Sequence, residues 1–337
     1  MIPILTIAIP TYNRPEQLKN TLSIIIPQIK KDQRVTLLIL DNHSEIPVKQ
    51  IFIQEDLSFD RVQIIRNAYN IGGTANIMRC FELCETDWIW VLGDDDFPTK
   101  NAVEVLLEDT QYSHCYAYYS VPYIKKPLFY LEDSERVEHI GFESLMNRFN
   151  NEIELMAFLS AAVFNMKKIR PYLIEGYSAA NTGVPHLFMM FKALSQGESW
   201  MISKKIIADY NPPNQGEGWG FMTIAFAMPC LLGMTSSRKE IKLIREYMIR
   251  SWRISPKKIL YSLIYKYRSE KGEKKEIQFL FKTIQQLYAP SWGKDPMLRL
   301  RWYVTAIWAC FPNFFAKWYK KKKEGKAKIM LVNDERR

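Results

Sequence analysis

Three consecutive carboxylates are the residues of this chain best suited to chemistry. Asp94, Asp95 and Asp96 follow the apolar run 88–92 and precede Pro98. Adjacent like charges repel each other, so a fold keeps them together only where a cation or hydrogen-bond donors share the site. Carboxylates at a strand end suit a hard divalent ion that keeps water ligands and bridges to phosphate oxygens. The alternative is a solvated turn that begins the helix after Pro98.

Polar groups also follow three earlier apolar runs. They are Thr11, Tyr12 and Arg14 after the first run, Asp41 after the second, and Asn70–Asn76 after the third. Asp41 can accept a base N–H and Tyr12 can pack against the base, while Arg14 and a helix start near Gly73 can face phosphate. Neither a P-loop nor a Gly-x-Gly-x-x-Gly fingerprint is present. Each group alone could be a plain turn, a helix entry or a core edge, but together they indicate a nucleotide site.

Four strands separated by helices must position these groups. We expect strands at 5–9, 35–40, 62–65 and 88–92, with helices beginning near Pro15, Val48 and Gly73. This alternation is typical of a parallel α/β sheet, in which ligands gather beyond the carboxyl ends of the strands. Farther along, the pattern predicts a helix at 140–149 and a strand at 159–164.

Length and composition predict a folded protein with a sizeable core. The chain has 337 residues, of which 47% are apolar, enough for one large domain with an appendage or for two modest domains. Its five cysteines are scattered, so we expect neither a zinc site nor a disulfide framework, and a reducing cytoplasm fits. The first residues lack a basic region and lead directly into a strand, so we expect no signal peptide.

Positive charge is concentrated in the C-terminal third. Residues 238–337 contain 26 Lys and Arg against 9 Asp and Glu, a net charge of +17; the whole-chain totals of 46 and 36 leave 20 and 27 for residues 1–237, a net charge of −7. This asymmetry predicts that the C-terminal part faces an anionic surface.

The groups at the four strand ends resemble glycosyltransferase family 2. The resemblance is carried by Ile9-Pro10-Thr11-Tyr12-Asn13-Arg14-Pro15, Leu40-Asp41-Asn42, Asn70-Ile71-Gly72-Gly73-Thr74-Ala75-Asn76 and Gly93-Asp94-Asp95-Asp96. It implies the GT-A fold, a Rossmann-like, mostly parallel sheet with helices on both faces. It also implies a nucleotide-sugar donor, UDP- or CDP-linked, an Mg²⁺ or Mn²⁺ cofactor, and transfer to an acceptor hydroxyl, with inversion as the family default.

The resemblance also implies a role for each matching residue. It places Asp41 and the loop Thr11–Arg14 against the base, Asp94 near the ribose or the metal, and Asp96 as the principal metal ligand. The residues expected to bind the nucleotide sugar are Pro10, Thr11, Tyr12, Arg14, Asp41, Asn70, Gly73, Asn76, Asp94 and Asp95, and the expected metal ligands are Asp94 and Asp96. Such an ion would neutralise the charge that builds on the departing diphosphate.

His186 is the candidate catalytic base. In this family a Glu-Asp pair usually opens the corresponding helix, whereas this chain has Pro185-His186. The segment is similar to that of a subset of O-antigen glycosyltransferases, including abequosyltransferase-like proteins, which implies that His186 stands in the base position. A neutral imidazole titrates in the range suited to accepting a hydroxyl proton. The alternatives are that His186 packs the helix start or hydrogen-bonds the acceptor, and Glu217 is the rival base.

The last hundred residues read as a basic helical region. We expect domains at 1–235, divided into a nucleotide-sugar half (1–112) and an acceptor half (113–235), and at 236–337. The segment from Leu300 to Tyr319 mixes Trp and Phe with other apolar residues ahead of the basic cluster Lys320–Lys323, and Pro312 interrupts the apolar run. The run is too short for a transmembrane helix, so we expect an interfacial anchor on anionic lipid. The alternative is that the aromatic side chains pack into the protein with the lysines outside.

The whole pattern predicts a metal-dependent glycosyltransferase that extends a saccharide linked to polyprenyl diphosphate in O-antigen or capsule biosynthesis. We expect it in the cytoplasm, at the inner face of the membrane, with no nucleic-acid partner. One alternative is a sugar-nucleotide nucleotidyltransferase, which predicts a Gly-rich basic loop where Pro10-Thr11-Tyr12 stands. Another is a non-enzymatic basic module that binds membrane or RNA, which leaves the three clustered acids unexplained.

Overall fold

A computed structural model describes residues 2–52, 60–112, 114–121, 136–141, 144, 158–211, 237–238, 241, 256–269, 274–289 and 296–322. Its strands are β1 Leu5–Thr11, β2 Val35–Asp41, β3 Val62–Arg66, β4 Trp88–Val91, β5 Phe97–Pro98, β6 Tyr116–Tyr119, β7 Arg136–Ile140, β8 Ala162–Asn165, β9 Trp200–Ser203 and β10 Ala208–Asp209. Its helices are α1 Pro15–Lys31, α2 Val48–Ile51, α3 Gly73–Glu82, α4 Ala102–Asp109, α5 Met166–Ile169, α6 Leu173–Ser178, α7 Pro185–Ser195, α8 Pro256–Ser269, α9 Lys274–Tyr288, α10 Pro296–Ala309 and α11, residues 312–322.

Eight strands form one mixed sheet in the order β3-β2-β1-β4-β8-β6-β9-β7. The first four run parallel, which confirms the predicted parallel half of the sheet. Strand β8 reverses direction and pairs antiparallel with both β4 and β6. The parallel half therefore continues into a second half built from residues 116–203, and the carboxyl end of β4 lies beside the amino end of β8.

Alternate residues of the central strands face two separate layers of helices. Ala8 and Leu38 belong to a buried cluster that also contains residues of α3 and α7. Ile7 and Leu37, their chain neighbours, belong to a second cluster that contains residues of α1 and α4. Strands buried on both faces read as continuous apolar runs, which explains why these strands were predictable.

Two of the predicted elements were wrong in detail. Ile140, expected to begin a helix, ends strand β7 and pairs with Trp200 in β9. The strand is favoured because Val137 and Ile140 pack their apolar side chains into the same buried cluster as Trp200. The rest of 140–149, apart from 141 and 144, lies outside the described residues. The strand predicted at 159–164 begins at Ala162, because Leu159–Ala161 form a 3₁₀ turn that aims Ser160 at the end of β4.

The C-terminal helices pack on the same core as α3 and α7. Buried residues of α8 and α9, such as Leu260 and Phe281, and Trp302 of α10 belong to that cluster. Trp302 lies against Phe281, with ring centroids 5.8 Å apart. Among the described residues, none of the helices has the length and apolar character needed to span a bilayer.

Candidate functional site

The ends of β1 to β4 form one rim of the sheet. Thr11, the last residue of β1, lies beside Asp41, the last residue of β2. The ladder continues one step further, with Asn42 N–H donating to the Thr11 carbonyl and Asn67 N–H donating to the Asp41 carbonyl, both at 2.9 Å. Polar residues far apart in the chain thereby meet at one edge.

Asp94 and Asp95 are held by residues at the end of β1 and in the loop after it. The Thr11 hydroxyl donates to Asp94 Oδ2 at 2.7 Å. Arg14 Nη1 donates to Asp94 Oδ1 at 3.2 Å and to Asp95 Oδ2 at 2.7 Å. The Thr21 hydroxyl, in α1, donates to the Asp94 carbonyl at 3.0 Å. The acid triplet is therefore an ordered structure tied to the loop after β1, and not a solvated turn.

Asp96 is held by residues on the side of β4 that faces away from β1. The Ser160 hydroxyl donates to Asp96 Oδ2 and accepts from the Gly93 N–H at 2.8 Å. The backbone N–H of Asn211 lies 3.4 Å from Asp96 Oδ1. Gly93 is required here, because a Cβ at this position would lie 2.4 Å from Asp96 Oδ2. Asp96 thus folds back over Gly93 against Ser160.

Burial makes ionisation of these carboxylates costly. It raises the pKa of Asp94 to about 6 and that of Asp96 to about 7, although hydrogen bonds from Thr11 and Ser160 act in the opposite direction. Within the described residues, Arg14 pairs with Asp94, whereas no Lys or Arg pairs with Asp96. A buried carboxylate without a paired cation fits a divalent ion, which in phosphate sites needs only one or two protein carboxylates. Asp94 and Asp96 are oxygen donors of the kind that Mg²⁺ and Mn²⁺ accept. Among the described residues, no group of three or more His, Cys, Asp or Glu side chains is arranged to hold one metal ion.

Asp41 orders the loop that follows β2. Its side chain is 1% exposed and accepts hydrogen bonds from Ser44 N–H at 2.8 Å, Val48 N–H at 3.2 Å and Arg66 Nη1 at 2.7 Å. Burial opposes ionisation, but these donors together hold the pKa of Asp41 below its usual range. In this structure Asp41 therefore shapes the loop surface on which the base of a nucleotide would lie.

Four asparagines connect the loops after β2 and β3. Asn67 Nδ2 donates to Asn42 Oδ1 at 2.9 Å and to Asn76 Oδ1 at 2.8 Å. Asn42 Nδ2 donates to Asn70 Oδ1 at 2.8 Å, and Asn76 Nδ2 donates to the Leu40 carbonyl at 3.0 Å. The predicted residues Asn70 and Asn76 thus hold the entry to α3, whose first residue is Gly73. Asn67 and Ser160 were not predicted as site residues. Asn67 directly follows β3, which is a signal in the sequence, whereas Ser160 is 67 residues from Gly93 and meets it only in the folded chain.

Exposed aromatic side chains border this network. Tyr12 and Tyr69 project from the loops after β1 and β3, and Tyr69 is 76% exposed. His43 stacks on Tyr69 with ring centroids 6.2 Å apart, and it adopts a left-handed backbone conformation with φ of 68°. Pro10 lies within β1 and is half-buried. The rim therefore offers flat apolar surfaces beside its charged groups.

His186 lies deeper in the protein than the acid triplet. It is the second residue of α7, is 1% exposed and meets the Phe164 ring edge-on, with centroids 6.4 Å apart. Phe164 pairs with Ile89 in β4, five residues before Asp94 in the chain. Glu217, the alternative candidate for the catalytic base, lies outside the described residues, as does most of the loop that contains it.

Comparison with known proteins agrees with this geometry. Residues 6–173 match the family described as Glycosyl transferase family 2. A segment of 104 residues is 29% identical to Abequosyltransferase RfbV of Salmonella typhimurium, and it covers 31% of this chain and 31% of that relative.

Solved structures with the same fold are more distant in sequence. TarS 1–349 of S. aureus in complex with UDP-GlcNAc is similar with a TM-score of 0.63 and 11% identity, covering 95% of this chain and 92% of that one. Mannosyltransferase PcManGT from Pyrobaculum calidifontis, in complex with GDP-Man and Mn²⁺, gives a TM-score of 0.54 and 10% identity, covering 95% and 88%. At such identities the likeness establishes the fold.

Proposed function

The chain belongs to glycosyltransferase family 2, and from that premise we propose that it moves a sugar from a nucleotide-sugar donor to a hydroxyl group of a saccharide. The observation that carries the proposal is the set of hydrogen bonds that join the end of β1 to the end of β4. Thr11, the last residue of β1, and Arg14, in the loop after it, donate to the carboxylates that follow β4. A diphosphate lying over this join would meet the Arg14 guanidinium together with these carboxylates, and the amino end of α3 lies on the same rim of the sheet.

We propose a UDP- or CDP-linked donor whose base lies on the loops after β1 and β2. Tyr12 is exposed there, and Asp41 holds the second loop through its hydrogen bonds to Ser44 and Val48. The TarS structure that shares this fold is described in complex with UDP-GlcNAc, which supports a nucleotide sugar as the donor class. The residues proposed to contact the donor are Pro10, Thr11, Tyr12, Arg14, Asp41, Asn70, Gly73, Asn76, Asp94 and Asp95.

Asp96 and Asp94 are the proposed ligands of Mg²⁺ or Mn²⁺. When bound, the ion supplies Lewis-acid stabilisation of the departing diphosphate. Ser160 fixes the position of Asp96, and Arg14 neutralises Asp94 and Asp95. The fold relative PcManGT is described with Mn²⁺, which supports a divalent cofactor.

His186 is our proposed general base, acting in an inverting displacement. A base must come within hydrogen-bond distance of the acceptor hydroxyl, although catalytic contacts often tighten only in the complex. With 1% of the side chain exposed, the imidazole meets this condition only if the residues covering it move when the acceptor binds. His186→Gln should then keep nucleotide binding and lower kcat by about 10²–10⁴-fold. If kcat stays unchanged while the melting temperature falls, His186 has a packing role.

We propose a saccharide on polyprenyl diphosphate as the acceptor, in O-antigen or capsule biosynthesis at the cytoplasmic face of the membrane. The similarity to Abequosyltransferase RfbV supports transfer of a sugar, and the basic C-terminal helices support a site of action on anionic lipid. If this assignment is right, incubating the enzyme with the donor and with vesicles that carry such an acceptor should yield glycosylated product in the lipid fraction.

A thermal-shift screen of nucleoside diphosphates, each with and without Mn²⁺, tests the donor site. We expect one nucleotide to raise the melting temperature, and Mn²⁺ to increase that shift. Asp96→Asn should remove the Mn²⁺-dependent part and leave the protein folded. Asp32→Asn, which changes an aspartate paired with Arg34 away from the rim, should behave as wild type. No response to any nucleotide would contradict the proposal.

A further inference from the structure

Helices α10 and α11 carry an apolar stripe that faces away from the protein. Its members succeed one another at intervals of three or four residues, and each is more than a third exposed, from 39% at Val304 to 66% at Ile307. The apolar stripe consists of Met297, Leu300, Val304, Ile307, Phe311 and Phe314. Within α10 these intervals keep Met297, Leu300, Val304 and Ile307 on one face of the helix. Phe311, between the two helices, and Phe314, on α11, extend this exposed surface. Contiguous exposed apolar surface of this kind marks an interaction site.

The opposite face of the same helices fixes their orientation. Trp302, Thr305 and Ala309 are buried on the inner face of α10, and Phe315 is buried in α11. Trp308 stacks on Trp318 with ring centroids 5.7 Å apart and belongs with it to the partly buried shell of the core. Rotating α10 to bury the apolar stripe would therefore expose Trp302, so the stripe cannot be covered by a simple rotation of the helix.

Positive charge accompanies the apolar stripe. Projected at about 100° per residue, Arg299 and Arg301 lie roughly 100° to either side of its middle. Residues 296–322 contain six Lys and Arg and no Asp or Glu, and Lys317 and residues 320–322 follow the stripe on α11. Long basic side chains beside an apolar face can extend their charged ends toward a polar boundary while their stems cover apolar surface.

The positive charge beside the apolar stripe distinguishes between two possible partners of this face, a second copy of the chain and an anionic membrane. In a symmetric dimer the same patch meets itself, so the arginines and lysines of two copies would approach each other, and the segment has no carboxylate to pair with them. An anionic bilayer complements both features of this face, since its acyl boundary accepts the apolar side chains and its head groups attract the basic ones. We propose that the apolar stripe is the face with which this enzyme lies on an anionic membrane.

This proposal changes which residues bind lipid. The sequence predicted an anchor over the mixed apolar and basic segment from Leu300 to Lys323, but within it Trp308, Phe315 and Trp318 pack against one another. The side chains that face outward are those of the apolar stripe, which begins at Met297. The proposal rests on the proposed site of action at anionic lipid and names the face that makes the contact, whereas the donor and cation assignments do not depend on it.

Vesicle flotation of the full chain tests the proposal. Vesicles of phosphatidylcholine mixed with phosphatidylglycerol should carry the protein upward, and vesicles of phosphatidylcholine alone or mixed vesicles in high salt should carry much less. Ile307→Glu combined with Phe311→Glu should lower binding to the mixed vesicles by at least about tenfold, because two charges would enter the acyl boundary. Arg299→Gln and Arg301→Gln should each lower it by about fivefold.

Ile174→Glu is the matched control, because Ile174 is an exposed apolar residue on α6 and not on the apolar stripe. It should bind vesicles as wild type does. Both the Glu double variant and the control should keep the wild-type melting temperature, since all three positions are exposed. Equal flotation of the double variant and wild type would overturn the proposal. So would a dimer in sedimentation that the double variant abolishes, together with no binding to the mixed vesicles, because the occupant would then be a second copy.

Discussion

The Ser160 hydroxyl joins two residues of the β4 end, donating to Asp96 and accepting from the backbone N–H of Gly93. Ser160 and Asp96 lie 64 residues apart in the chain, and the pairing of β8 with β4 brings them together. One buried hydroxyl thus sets the orientation of the proposed principal metal ligand.

Removing that hydroxyl should weaken both the fold and the cation site. Ser160→Ala leaves a buried carboxylate oxygen and a buried N–H without this partner, so we expect the free energy of unfolding to fall by about 1–3 kcal/mol. We also expect weaker Mn²⁺-dependent nucleotide binding, because Asp96 loses its fixed orientation. Chemical denaturation and calorimetric titration measure the two effects. Ser23→Ala is the control, since the Ser23 hydroxyl is exposed and donates only to its own helix at Asn20.

A methyl group at Gly93 should displace Asp96. The added Cβ of Gly93→Ala would lie 2.4 Å from Asp96 Oδ2, so the carboxylate must rotate away from Ser160. We expect the Mn²⁺-dependent stabilisation by nucleotide to disappear. In Gly141→Ala the Cβ meets nothing within 4 Å, and that variant should keep it. An unchanged Mn²⁺ response in Gly93→Ala would show that the position of Asp96 does not control cation binding.

Asp41 should matter for stability as much as for the donor. Asp41→Ala removes the acceptor of two backbone N–H groups and of Arg66, all at a buried position, so we expect unfolding to become easier by about 2–5 kcal/mol. Asp32→Ala breaks a more exposed pair with Arg34 and should cost less than about 1 kcal/mol. Denaturant titrations of both variants give the comparison. Equal losses would mean that the loop after β2 is held by other contacts.

Stability should depend on pH through His114. Burial, together with the charges of Lys168 and His139, lowers the pKa of His114 to about 4. Between pH 4 and 6.5 the unfolded chain binds a proton at His114 that the folded protein excludes, so His114 contributes to the free energy of unfolding a rise with pH of up to about 1.4 kcal/mol per unit. The raised pKa values of Asp94 and Asp96 contribute the opposite slope, so the effect of His114 is measured as the difference between wild type and a variant. His114→Phe keeps a ring beside Trp88, which lies 4.9 Å from the His114 ring, and should remove the contribution of His114 and leave that of the aspartates. Parallel curves for the variant and wild type would contradict the assignment.

The strands that carry the site were predictable because burial on both faces leaves a continuous apolar run in the sequence. The runs that became β1 and β4 end near polar residues, and parallel strands gather such residues at one edge. The prediction failed at Leu159–Ala161, where local residues favour a strand but the chain turns to bring Ser160 to Asp96. That turn is stabilised by a residue of another strand end, which no local pattern contains.

The sequence by itself determined the parallel half of the sheet, the acid triplet at the end of β4 and the positive charge of the C-terminal third. Those features depend on neighbouring residues and on composition. Only the tertiary structure decided that Asp96 is held by Ser160, that Asp41 orders its own loop, that His186 is buried, and which side chains of α10 face outward. Each of these depends on which surfaces come into contact after folding, and apolar aromatic residues such as Trp302 and Phe314 read alike in sequence although one is buried and the other is exposed.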